Sequence, residues 1–193
     1  MRHIYSKTIT VFNYYESKTT GDAYWYPHVL SNVDLNTDRG AIIKKYGADT
    51  ADNAILHIRY TLSNDNKIIS EKERFSENGR MAYFSEWKDT NGDNILDTEG
   101  NAILLVCARD NRMIWLPPKA WKNQTNDMLE ETITFSAEDD FFWEGEWNKG
   151  VVNDDDYRGG FYQYMNENKD NVFKITSIGG PYTLIPHFEI LGK

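Results

Sequence analysis

Oxygen donors fall on alternate residues in Asp89-Thr90-Asn91-Gly92-Asp93-Asn94-Ile95-Leu96-Asp97, the run in this chain most like a metal loop. A hard cation such as Ca²⁺ takes roughly six to eight oxygens, and alternate residues of a tight loop can turn inward together. Asp89, Asn91, Asp93 and Asp97 are therefore the candidate calcium ligands. Two positions depart from the pattern: Asn94 stands where the loop wants glycine, and Gly100 where a bidentate carboxylate belongs, with Glu99 one residue early. A plain polar turn uses the same Asn, Gly and Asp for local backbone reasons. The default expectation is no cofactor, with calcium the one ion the spacing admits.

Other chemistry finds less support. His3, His28, His57 and His187 show no zinc spacing. His57 and His187 alternate within strand-like runs and read as strand residues. The clusters Glu138-Asp139-Asp140 and Asp154-Asp155-Asp156 resemble the paired carboxylates of a glycosidase only in composition, and are expected to face water. No phosphate loop, dinucleotide fingerprint or nucleophile elbow is present. No catalytic residues are assigned, and the chain is not expected to be an enzyme.

Aromatics make up 14% of the 193 residues, enough to build either a β core or a contact surface. Tyr24-Trp25-Tyr26, Phe141-Phe142-Trp143 and Trp147 are the densest strings. Neighbours on a strand point to opposite faces, so one face enters the core and the other meets a groove or a partner. Trp25, Tyr26, Phe142, Trp143 and Trp147 are the interface candidates, a partner surface being preferred to a sugar-binding site.

The elements that would carry these residues are strands. Lys7–Asn13 alternates with Ile9 and Val11 on one face. Ala23–Leu35 is a long β segment, and Pro27 argues for an edge or a bulge within it. In Ala54–Leu62 the set Leu56, Ile58, Tyr60 and Leu62 is cleanly apolar and predicts the core face. Ala102–Ala108 and Arg112–Leu116 form a hairpin that Pro117-Pro118 ends. A short helix falls in Lys119–Glu131, with strands over Thr132–Phe135 and Phe141–Trp147. Helical turns follow over Phe161–Lys169. Val172–Ile178 and Tyr182–Leu191 close the chain around Gly179-Gly180-Pro181. The fold class is mainly β: a small β-barrel or sandwich with an inserted polar segment and one or two short helices. Residues 1–193 form a single β domain, with 63–100 an insertion or hairpin excursion.

Charge narrows the partners. At a net −9 with scattered basic residues, specific nucleic-acid binding is not expected. The run AILLVCA is too short to span a bilayer, and no signal peptide opens the sequence. The lone Cys107 reads as a small core residue compatible with a reducing compartment.

The segments TITVFNYY, WYPHVLSNVDLNTDRGAIIKKYGADTADNAILHIRY, WLPPKAW and VFKITSIGGPYTLIPHFEILGK together resemble minor capsid or head–tail connector proteins of the stopper or head-completion type, from long-tailed phages and prophages of Gram-positive bacteria. The matching positions include Val11 and Asn13; Trp25, Tyr26, Val29, Leu30 and Val33; Asp52, Ala54, Leu56, His57 and Ile58; Pro117 and Pro118; and Phe173, Ile175, Thr176, Ser177, His187, Phe188 and Glu189. The segment 63–100 has no counterpart. The resemblance implies a virion structural protein that assembles as a homo-oligomeric ring between portal or adaptor and tail, with other head–tail proteins as partners and no enzymatic residues. It implies a host cytoplasmic location during assembly and then the virion. The competing reading is a carbohydrate- or calcium-binding β module.

Overall fold

A computed structural model describes residues 6–37, 54–62, 104–107, 112–124, 126–137 and 139–193. The candidate calcium run and the 63–100 excursion lie outside the described residues. So does the side chain of Cys107.

The fold is mainly β. In chain order the strands are β1 (Lys7–Glu16), β2 (Ala23–Thr37), β3 (Ala54–Leu62), β4 (Leu104–Cys107) and β5 (Arg112–Trp115). Two one-turn helices follow, α1 (Pro118–Lys122) and α2 (Asn126–Leu129), then β6 (Thr132–Ile133), β7 (Phe141–Trp143) and β8 (Val152–Asn153). A 3₁₀ turn at Asp154–Asp156 leads to α3 (Phe161–Asn168), and β9 (Val172–Tyr182) and β10 (His187–Gly192) complete the chain.

Six strands close into an antiparallel barrel in the order β3-β10-β9-β7-β1-β2, with β2 pairing back onto β3. Closure leaves these strands without an open sheet edge along their paired lengths. Inward positions follow the two-residue period of each strand. Ile9 and Val11 of β1, Leu56, Ile58 and Tyr60 of β3, Phe173 and Ile175 of β9, and Phe188 and Ile190 of β10 are all buried in one cluster. Gly192 ends β10 because the interior is full there: a Cβ would stand 2.8 Å from Phe142 and from Phe173.

The β4–β5 hairpin pairs with the end of β3, and β6 adds in parallel to β5. This ribbon brings Trp115 to 5.0 Å from the Phe188 ring, which Phe135 meets edge-on at 5.2 Å. Pro118 stops β5 and starts α1, where its missing N–H costs nothing. Trp121 of α1 is wholly buried and donates to Thr132 O at 2.9 Å.

One local expectation holds and two shift. Pro27 lies opposite Phe12 where, among the described residues, β2 pairs with β1 alone, β8 joining at Tyr24 and Trp25 and β3 only from Asp34 to Thr37, so the proline takes an edge position. The irregularity falls beyond it, between Lys7 and Ile9, opposite a stretch of β2 where Asn32 takes φ 56°. β7 is three residues long, not seven, since the chain leaves the sheet after Trp143. The last turn lies at Thr183–Pro186 and not at Gly179–Pro181. Gly180 and Pro181 instead form a bulge inside β9, two residues against Phe188 of β10. Gly180 has φ 105°, and a Cβ there would meet His187 O and Tyr182 N at 3.0 Å. Pro181 is tolerated because β7 pairs with β9 only at Val172–Lys174, which leaves Pro181 on an edge.

Candidate functional site: two outer faces and an arm

Of the aromatic strings, Trp25, Phe141 and Trp147 pack on the outside of the barrel on one side. Trp25, Tyr26, Phe142 and Trp147 are buried, and Trp143 is half-buried. Phe142 points into the barrel, and Tyr26 packs edge-on to Trp121 beneath the ribbon. Trp25 and Trp147 join Phe12, Phe141, Phe161 and Met165 in a second core, where α3 lies over the outside of β1, β2 and β7. Phe12 stacks on Phe141 at 4.6 Å and meets Phe161 and Trp147 edge-on. These rings therefore pack within the chain itself.

Polar contacts fix that cover. Asp154 Oδ1 accepts from Trp25 Nε1 and from the Phe161 N–H, both at 2.7 Å, so one carboxylate ties β2 to the start of α3. Lys174 Nζ donates to Asp139 O and sits over the Tyr162 ring at 4.9 Å and the Trp25 ring at 5.5 Å. Burial lowers the Lys174 pKa, while Asp140, Asp139 and Asp154 draw it back up.

Not all acidic residues of the 138–140 cluster face water. Asp140 is fully buried. It accepts from the Tyr14 N–H at 2.9 Å, Asn13 Nδ2 at 2.7 Å and the Ser136 N–H at 2.8 Å. The β1–β7 ladder ends at Phe12–Phe141, and the Asp140 carboxylate takes over as partner for the next part of β1. Burial pushes its carboxyl up to about 7, against the three donors that favour the ionised form. His28, inward-facing and opposite Val11, is also buried. Neither of its ring nitrogens has a hydrogen-bond partner among the described residues, and burial lowers its pKa to about 3.

On the opposite outer face, on β2, β3, β10 and β9, the described residues are exposed or half-exposed. Asn36, Ile55, Leu191 and Ser177 form one cross-strand row; Asp34, His57, Glu189 and Gly179 form the next. Ile55 and Leu191 are exposed. His57 stands between two carboxylates, with Nδ1 3.4 Å from Asp34 and Nε2 3.5 Å from Glu189. The His187 ring is 5.6 Å away. No three His, Cys, Asp or Glu among the described residues are grouped to hold a metal ion.

Beyond this face the β9–β10 hairpin projects as an arm. Leu184 is 96% exposed, Ile185 65% and Tyr182 46%. Sequence reading missed these three, although a Leu-Ile pair between Pro181 and Pro186 breaks the rule that turns are polar. No family model, curated protein or solved structure matches this chain.

Proposed function

We propose that this chain is a phage virion structural protein of the head–tail interface, a ring subunit between portal or adaptor and tail. It works through contact faces. What supports the reading is the convergence of the resembling segments. TITVFNYY runs along β1, WYPHVLSNVDL along β2, AILHIRY along β3, VFKITS along β9 and HFEILG along β10. Residues far apart in the chain that carry the family pattern are thus neighbours in one closed barrel. A rigid barrel suits a joint: it holds its shape while loops and arms meet neighbours related by a closing rotation. An acidic subunit also suits a channel through which DNA passes without adhering.

The test is genetic and biochemical. Deleting the gene from an inducible prophage is expected to give filled heads and free tails that fail to join. Mass spectrometry of intact particles is expected to find the chain in a few to a dozen or so copies each, on the order of one ring. Normal infectious particles from the deletion strain would overturn the reading.

A further inference from the structure

We propose that His57, His187 and Glu189, on the outer face of β3 and β10, form a binding site for a divalent metal of the zinc class. The inference goes beyond the head–tail reading and does not depend on it.

His57 is flanked by a carboxylate on each side. Nδ1 lies 3.4 Å from Asp34 Oδ2, and Nε2 lies 3.5 Å from Glu189 Oε2. A neutral imidazole carries one proton, so either tautomer leaves a lone pair facing a carboxylate. Nδ1 is buried and makes no hydrogen bond among the described residues. Nε2 is therefore the nitrogen that a cation reaches. Zinc binds nitrogen and oxygen at about 2.0–2.2 Å, which sets two tetrahedral ligands about 3.4 Å apart. Nε2 and Oε2 already have that spacing.

His187 supplies the second nitrogen. Its Nδ1–H donates to Ile185 O at 2.6 Å, which leaves the lone pair on Nε2. Metal-binding histidines are commonly fixed by such a carbonyl behind the ring. The Tyr182 ring packs 5.0 Å from the His187 ring, and Tyr60 Oη–H donates to Tyr182 O at 2.9 Å, so the turn that carries His187 is braced. The His57 and His187 centroids are 5.6 Å apart. Two imidazoles on one zinc stand at about 5–6 Å by the same bond lengths.

As they stand, the three donors do not surround one point. Glu189, its side chain 42% exposed, closes the site by turning its carboxylate between the two rings. Asp34 and Glu189 outnumber Arg59, the cation opposite His187. Imidazole nitrogens select zinc, nickel or copper over calcium. A metal here ties β3 to β10 beside Asp34, where β2 closes the barrel onto β3.

The experiment titrates zinc into the untagged, metal-free chain by calorimetry. Binding is expected, with a thermal midpoint that rises with zinc concentration. His57→Ala and His187→Ala are each expected to bind at least about tenfold more weakly, and Glu189→Gln about two- to tenfold. Near-UV circular dichroism of the metal-free variants should match the wild type. If a variant misfolds, imidazole NMR of the wild type decides: zinc should shift the His57 and His187 resonances together and leave those of buried His28 in place. The proposal is overturned by no zinc uptake at about 100 µM, by equal affinity in the wild type and both histidine variants, or by unmoved His57 and His187 resonances.

Discussion

The two outer sides of the barrel belong to one closed sheet but are finished differently. Outside β1, β2 and β7 a second aromatic core, roofed by α3, buries Phe12, Phe141 and Trp25. Outside β3 and β10 the corresponding positions are Ile55, His57 and Arg59, and Leu191, Glu189 and His187, all exposed or half-exposed. The first side is packed against the chain's own helix; on the second the described residues stay exposed or half-exposed. The strands announce this. In β1 the stretch Ile9–Phe12 is buried on both faces, whereas β3 alternates buried and open residues along its whole described length.

The comparison breaks first, and most heavily, at the aromatic roof. Phe161→Ala empties a site touched by Phe12, Trp25, Trp147 and Tyr157 and is expected to cost about 3–5 kcal/mol in urea unfolding. A loss under about 1 kcal/mol would mean that α3 is not integral to the fold. Asp140→Ala should follow at about 3 kcal/mol, because two backbone N–H groups and Asn13 lose a buried acceptor.

Two buried groups make opposing contributions to pH dependence. Asp140 has a folded pKa raised to about 7, above an unfolded value of about 3.9. Its stability contribution is full below about 3.9 and lost as pH rises through 7. His28 has a folded pKa lowered to about 3, below an unfolded value of about 6.5. Its contribution is present above about 6.5 and lost as pH falls toward 3. Between about pH 4 and 6.5 the two slopes, each about 1.4 kcal/mol per pH unit, cancel. Asp140→Asn should therefore make stability rise with pH across that window, and His28→Leu should make it fall. Parallel profiles for wild type and both variants would show that these groups do not titrate as a compensating pair.

Smaller effects separate the two sides further. Trp25→Phe keeps the ring packing but removes the bond to Asp154, and about 1.5–3 kcal/mol should be lost, as for a hydrogen bond to a charged group. On the exposed side, Ile55→Thr and Leu191→Thr should change stability by no more than about 0.5 kcal/mol. A larger loss there would mean that this face is covered in the isolated chain.

Much of the barrel was legible because it rests on local alternation. Leu56, Ile58 and Tyr60 face inward as their period requires, and so do Ile9 and Val11. The β4–β5 hairpin and its proline stop were equally readable. The interface candidates were harder, because aromatic content alone does not say whether a ring meets its own chain or another. Trp25 and Trp147 needed α3 above them before their burial was visible. Asp140 was misread for a related reason: its three donors come from positions 13, 14 and 136, and no spacing rule connects those to a carboxylate at 140.

The sequence by itself determined that strands would form, which face of β3 would be apolar, and that Pro117-Pro118 would end the β4–β5 hairpin, since these depend on neighbours within a few residues. Tertiary structure decided that six strands close on themselves, that one outer side receives a helix while the described residues of the other stay exposed or half-exposed, and that Leu184 and Ile185 project from a braced turn. Those outcomes depend on contacts between residues more than a hundred positions apart, such as Thr10 with Trp143 and Tyr60 with Tyr182, and local periodicity carries no information about them.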